Sequence, residues 1–231
     1  MNSSYYDKLK QTSQYHFDNT RWDQPGEWFT AHGKFVGNWQ QELQQLKTDT
    51  RPLTWRNISS SLGHKTPQTQ WTPEREARVQ SQELDITRGG GNPEMALTDV
   101  NIEVNQYPVF SSMIESFGLE SAHARIHVQR TGQVFNMHID TYGVGFPGVP
   151  EDKLIRIVVM LEDWAPGQFY CYGTYNYSHW PAGEFHTFRW KDVPHGTANA
   201  SSVPRTSLIV TGIMTDKTIN VLNTPYTLYK V

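Results

Sequence analysis

His138-Ile139-Asp140 places an imidazole and a carboxylate two residues apart. On an extended strand, residues at that spacing point to the same side, so the two groups face one point while Ile139 faces the other way. A His-x-Asp triplet arises often by chance. It gains weight from His195, in Asp192-Val193-Pro194-His195-Gly196-Thr197, which is separated from the triplet by enough chain to run round a β-barrel and return. Two imidazoles and one carboxylate on one side of an ion, with three positions left open, form the donor set of non-haem Fe(II) centres, whose open positions take an oxo acid and O₂. His138, Asp140 and His195 are therefore the expected metal ligands.

Arg205 follows His195, and Ser207, Ile209 and Thr211 share its strand face. A guanidinium keeps its charge and meets a carboxylate in a bidentate fork, and a neighbouring hydroxyl adds one more donor. The distal carboxylate of 2-oxoglutarate requires such an anchor once its other end chelates iron. Arg156 interrupts the otherwise apolar run 154–161. A buried Arg needs a partner, and two readings stand side by side: a carboxylate of the oxo acid, or a structural ion pair with a protein carboxylate. The bland alternative for the whole set is two ordinary barrel histidines and a surface arginine.

These groups need a scaffold that gathers residues distant in sequence. From about residue 124 short strand-like segments follow one another, at 124–130, 135–141, 154–161, 167–172, 184–190 and 207–213. In the first, Arg125, His127 and Gln129 alternate with Ile126 and Val128; the run 154–161 has the texture of a strand buried on both faces. Thr131-Gly132, Pro147-Gly148, Pro166-Gly167 and Pro181-Ala182-Gly183 mark turns between segments. With no helical pattern between the strands, an antiparallel barrel or sandwich is expected. The first hundred residues are polar and irregular. A helix is predicted near 35–47 from Phe35, Trp39, Leu43 and Leu46, and a more polar one after Pro73, capped by Thr72. A third is predicted over 107–118, opened by Pro108, striped by Phe110, Met113, Ile114 and Phe117, and stopped by Gly118. The run 88–93 is a loop. The whole chain, 1–231, is expected to form one domain, with an irregular or helical region over 1–120, a β core over 121–215 and an extension over 216–231.

The chain has 231 residues, 37% hydrophobic and 19% charged, which supports a packed core and excludes wholesale disorder. A formal charge of −3 without a long basic stretch gives no charge-based support for binding nucleic acid or an anionic membrane. Cys171 is the sole cysteine, so an internal disulfide and a Cys-rich zinc site are both excluded. The N-terminal segment has no apolar core and no run of about 18 apolar residues exists, so a soluble cytoplasmic protein is the expectation.

The pattern His138-x-Asp140, His195, Arg205-x-Ser207 resembles the 2-oxoglutarate/Fe(II) oxygenase superfamily over about residues 121–215. Within it, Ala124-Arg125-Ile126-His127, Gly132-Gln133-Val134-Phe135-Asn136-Met137-His138, Leu154-Ile155-Arg156-Ile157, and His195-Gly196-Thr197-Ala198-Asn199 leading to Arg205 are similar to the aspartyl/asparaginyl β-hydroxylase branch and the allied bacterial proline hydroxylases. The resemblance implies a mainly β fold, a double-stranded β-helix (cupin-like jelly roll), with a partly helical N-terminal region packed on it. It implies Fe(II), 2-oxoglutarate as cosubstrate and O₂, with Arg205 and Ser207 on the oxo acid and Arg156 matching a position that helps to bind it. The implied reaction is hydroxylation of an unactivated C–H bond, on an amino-acid side chain, free or within a peptide or protein, with release of succinate and CO₂. The alternatives are a non-redox cupin enzyme, an isomerase or hydrolase using Zn or Mn, and a noncatalytic jelly-roll binding module.

Other residues carry weaker expectations. The loop 141–153, with Tyr142 and Phe146, is placed to wall the site. The aromatics of 169–180 furnish core and, where they face inward, pocket. His127 reads as a core histidine, and His123, His179 and His186 as surface or packing residues. Asn136 and Asn199 flank ligands and are candidates to hydrogen-bond them from behind.

Overall fold

The computed structural model describes residues 28–48, 73, 98–101, 107–140, 146 and 148–231. In chain order the elements are β1 (Phe29–Val36), α1 (Gln40–Thr48), β2 (Thr98–Asn101), α2 (Pro108–Ser116), β3 (Glu120–Gln129), β4 (Val134–His138), β5 (Leu154–Met160), β6 (Gln168–Tyr172), β7 (Tyr175–Tyr177), β8 (Glu184–Phe188), β9 (His195–Asn199), β10 (Arg205–Ile213), α3 (Asp216–Asn223) and β11 (Thr227–Lys230).

From β3 to β10 the chain winds between two sheets. One contains the order β8-β5-β10-β3 and the other is β4-β9-β6-β7, with every neighbouring pair antiparallel. That strand order is a double-stranded β-helix, a jelly roll. The first sheet grows to seven strands, because β1 pairs with β8, β11 adds parallel to β1, and β2 pairs with β3. No helix among the described residues is long and apolar enough to cross a membrane.

Strand alternation divides the large sheet into two working faces. Ile126, Ile157, Val159, Leu208 and Val210 point outward, beneath Trp39, Leu43 of α1, and Phe110, Met113 and Ile114 of α2. Val158, Met160 and Ile209 point inward, against Tyr170, Tyr172, Trp180 and Phe188. Both faces of β5 are buried, as its apolar run requires. Side chains of this kind contribute roughly 1.5–3 kcal/mol each when wholly buried, so the outer layer clamps the sheet from which the inner residues project.

Two contacts hold that outer layer. The Glu42 carboxylate of α1 accepts the backbone N–H groups of Val109 (2.8 Å) and Phe110 (3.0 Å), the free donors at the start of α2. The Trp39 indole donates to Leu161 O at 2.9 Å, just past the end of β5. Gly183 allows the close approach of β1 to this region. It has φ +88, and a Cβ there would stand 2.3 Å from Phe35 O.

The helix expected over 35–47 is corrected in part. Trp39 and Leu43 do lie on or beside α1, but Phe35 belongs to β1, where its N–H donates to Gly183 O at 2.9 Å. Phe35 still packs into the same cluster as Trp39 and Leu43, so the spacing reported shared burial across a strand-to-helix corner. The helix over 107–118 forms as α2, with Phe110, Met113 and Ile114 buried. Of the helix expected after Pro73, only Pro73 is described, in helical conformation; the loop 88–93 lies outside the described residues. β7 and β9 were not foreseen. β7 is three residues long, and β9, His-Gly-Thr-Ala-Asn, carries no apolar β-branched residue. The extension 216–231 folds as α3, opened by a Thr215–Thr218 capping box, and β11.

Candidate metal centre

β4 ends at His138, and β9 begins at His195 directly across from it in the ladder. Asp140 lies just beyond the strand, where its N–H donates to Trp190 O at 3.2 Å. The three side chains meet. Asp140 Oδ1 stands 3.5 Å from His138 Nε2, and Asp140 Oδ2 stands 3.3 Å from His195 Nε2. The donor atoms of all three lie within 4.8 Å of one another, close enough for one ion to touch them all. The expected ligand set is thus brought together, although Asp140 reaches it from just beyond the end of β4 and not from the strand itself.

The protonation pattern suits a cation. Val193 O lies 3.1 Å from His195 Nδ1 and accepts its proton, which leaves the Nε2 lone pair turned toward Asp140. Burial lowers the pKa of His195 despite the opposing pull of Asp140, so the ring is neutral. Burial alone would raise Asp140, but Arg156, then His195 and His138, hold its carboxyl well below the usual range. A cation between that lone pair and the anionic oxygen, 3.3 Å apart, would pair with both. The rings of Phe188 (4.6 Å) and Tyr172 (6.4 Å) pack around His195 and limit solvent access.

Arg156 points at the same carboxylate. Its Nη1 donates to Asp140 Oδ2 at 2.5 Å, and its Nε to Thr211 Oγ1 at 3.3 Å on the adjacent strand β10. One face of the Asp140 carboxylate is thereby held by protein while Oδ1 points to His138. Of the two readings offered by the sequence, this arrangement matches the ion pair.

Arg205 opens β10 and is 1% exposed. Its Nη1 donates to Phe169 O at 3.2 Å, and its Cζ sits 4.0 Å above the centre of the Tyr170 ring. Its Nε and Nη2 have no hydrogen-bond partner. Burial lowers its pKa, opposed by Tyr170 and Tyr172. Ser207, wholly buried on the same face, shares a 3.0 Å hydrogen bond with Tyr170 Oη.

Other expectations resolve unevenly. Phe146 is buried and its ring packs 4.9 Å from His123 at the start of β3, so part of the loop 141–153 folds onto the barrel; Tyr142 and the Asn136 side chain lie outside the description. Asn199 bonds Gln129, Val203 and Ser201 and no metal ligand, so it closes the turn after β9. His179 is exposed and stacks on Trp164 at 3.9 Å. His186 packs wholly inside the barrel. Tyr170, Tyr172 and Trp180 were visible only as a dense aromatic stretch. The period-2 spacing of Tyr170 and Tyr172 was the signal that both face inward.

No family model and no curated protein matches the sequence. Among solved structures, a cupin-superfamily sugar phosphate isomerase from Silicibacter pomeroyi is 11% identical, with 51% of this chain and 60% of that one covered and a TM-score of 0.32. A predicted oxalate decarboxylase from Thermotoga maritima is 10% identical, covering 51% of this chain and 81% of its own, with a TM-score of 0.33. A cupin domain from Schizosaccharomyces pombe is 6% identical, covering 51% and 65%, with a TM-score of 0.34. The jelly roll itself is read from the strand order.

Proposed function

We propose that this protein is an Fe(II)- and 2-oxoglutarate-dependent dioxygenase that hydroxylates an unactivated C–H bond, with an amino-acid side chain, free or in a peptide, as the substrate class. The observation that carries this reading is Arg205. A buried guanidinium with two unpartnered nitrogens is costly unless an anion pairs with it, and it lies inside the same barrel as the metal ligands. A distal carboxylate on a metal-chelating oxo acid supplies that anion. Bound together, Fe(II), 2-oxoglutarate and O₂ supply an oxidant that inserts oxygen into C–H, with release of succinate and CO₂. The protein's own residues hold and orient. His138, Asp140 and His195 fix the ion, Arg156 fixes Asp140, and Arg205 sets the position of the oxo acid. Phe188 and Tyr172 keep water from the His195 side.

A second reading drops the oxo acid and keeps the metal: a non-redox enzyme on the same jelly roll, using Zn or Mn. The donor set alone favours it equally, since two imidazoles and one carboxylate bind those ions well. One experiment separates the two. Anaerobic protein loaded with Fe(II) is titrated with 2-oxoglutarate, and the visible charge-transfer band and subsequent succinate formation in air are measured. The dioxygenase reading expects both in the wild type and neither in His138→Ala. No band and no succinate, with Zn or Mn recovered from the purified protein, would give the second reading.

A further inference from the structure

Oxidisable rings run without a gap from the metal centre to the surface. Tyr172 stacks on the ligand His195 with ring centroids 6.4 Å apart. The His186 ring stands 5.6 Å from Tyr172 and 4.9 Å from Tyr177, and the Phe29 ring bridges the same two tyrosines at 5.7 and 4.5 Å. A second route leads from Tyr172 to Tyr170 (5.7 Å, parallel), Trp180 (6.0 Å) and again Tyr177 (5.1 Å). Both routes meet at Tyr177. Its hydroxyl donates to Glu184 Oε1, and the Tyr226 hydroxyl donates to Glu184 Oε2 at 2.9 Å. Tyr177 is 4% exposed and Tyr226 51%. One carboxylate thus joins an interior phenol to a phenol in solvent.

Packing alone does not ask for this arrangement. Phe would fill the interior as well and would bring no hydroxyl in need of a partner. A phenol gives up an electron readily only when its proton leaves with it, because the oxidised phenol is a strong acid. A carboxylate hydrogen-bonded to the hydroxyl is placed to take that proton. Burial, then Glu184, raise the pKa of Tyr177 well above its usual 10 and bring Tyr226 to about 12. Both phenols are therefore protonated at neutral pH, and both share one acceptor.

We propose that Tyr226 and Tyr177, coupled through Glu184, relay single electrons from an outer-sphere reductant at the surface to the metal centre, returning iron that has strayed to Fe(III) to Fe(II). The relay rests on the dioxygenase reading only for the presence of iron. Tyr177 gives one electron inward and its proton to Glu184 Oε1, which leaves a neutral tyrosyl radical. Tyr226 then gives one electron to Tyr177. Glu184 hands the first proton back to Tyr177 and takes the Tyr226 proton on Oε2. The reductant supplies one electron to Tyr226, and Glu184 returns its proton there. Both phenols and the carboxylate end as they began, the reductant has lost one electron, and the metal has gained one.

The test drives the same path in reverse on the full chain loaded with Fe(II) without oxygen. Flash excitation of tris(bipyridine)ruthenium(II) with a cobalt(III) ammine quencher makes a bulky one-electron oxidant in solution, and freeze-quenched samples are read by electron paramagnetic resonance. The wild type is expected to show the high-spin Fe(III) signal, and the Zn(II)-loaded protein a lasting tyrosyl radical instead. Tyr177→Phe, Tyr226→Phe and Glu184→Gln are each expected to bind Fe(II) as the wild type does yet lose most of the Fe(III) signal. Tyr229→Phe, whose ring packs on Phe35 and Phe185 in the outer layer, is expected to keep it. Equal Fe(III) signals in the wild type, Tyr177→Phe and Tyr226→Phe, or none in the iron-loaded wild type, overturn the relay and leave the dioxygenase reading untouched. A working relay in a protein that forms no succinate from 2-oxoglutarate overturns that reading alone, and a chain that binds no iron overturns both.

Discussion

Arg156 Nη1 stands 2.5 Å from Asp140 Oδ2, and the two side chains are 8% and 13% exposed. The carboxylate expected to hold a metal is therefore also one half of a largely buried ion pair. Removing only the arginine leaves that carboxylate without its strongest stabiliser. Arg156→Met is expected to destabilise the metal-free protein by ~3–5 kcal/mol, and the double variant Arg156→Met/Asp140→Leu to recover much of that loss, since a buried pair replaced whole costs little. Chemical unfolding of the three proteins measures this. A single variant within about 0.5 kcal/mol of wild type would show that the pair is solvent-screened.

The metal ligands and the deep arginine should separate by assay. His195→Ala and Asp140→Ala each remove one of three ligands and are expected to lower metal affinity by ~100-fold or more. Arg205→Met leaves the ligand atoms in place and is expected to change metal affinity less than about three-fold. Titration with Fe(II) or Zn(II) of the purified apoprotein distinguishes the two classes. Equal losses from Arg205→Met and His195→Ala would contradict the exclusion of Arg205 from the ligand set.

The parts of the site that sequence revealed are those governed by period 2. Ile126 against Arg125 and His127, or Arg205 against Leu208, sort to opposite faces because strand geometry leaves no other choice. His195 was placed correctly without its strand being recognised, because its chemistry identified it while Gly196 and Ala198 disguised β9. Partners of long side chains were less legible. Whether Arg156 meets Asp140 or an oxo acid depends on the angle at which the backbone just past β4 delivers the carboxylate, and no spacing rule encodes that. His186 was readable only as a surface or packing residue, because the tyrosines it meets, Tyr170 and Tyr172, come from β6.

Glu42 ties α1 to the first turn of α2 through two backbone N–H groups, and it is 8% exposed. Glu42→Ala is expected to cost ~2 kcal/mol, from a lost charged cap and two unsatisfied donors. Glu42→Gln, which keeps one acceptor oxygen, is expected to cost about half as much. Thermal or urea unfolding ranks the variants, and an unchanged Glu42→Ala would mean that water caps the helix as well as the carboxylate does.

The buried His186 sets a pH dependence whose sign follows from its environment. Burial, then the charges of His32 and Arg205, lower its pKa from 6.5 to about 3. The folded state thus binds this proton less readily than the unfolded chain. The contribution of neutral His186 is full above pH 6.5 and is lost as pH falls from there toward about 3, at up to ~1.4 kcal/mol per pH unit. His32, His123 and His195 are lowered too and act in the same direction. Asp140 is lowered well below 3.8, so its contribution is full above about pH 3.8 and is lost only as pH falls below that. Between about pH 7 and about pH 5, the wild-type protein is expected to lose ~2 kcal/mol more unfolding free energy than His186→Gln. Equal losses in the two proteins would place the His186 proton outside the folding equilibrium, and with it the picture of a neutral ring held among the tyrosines of the barrel.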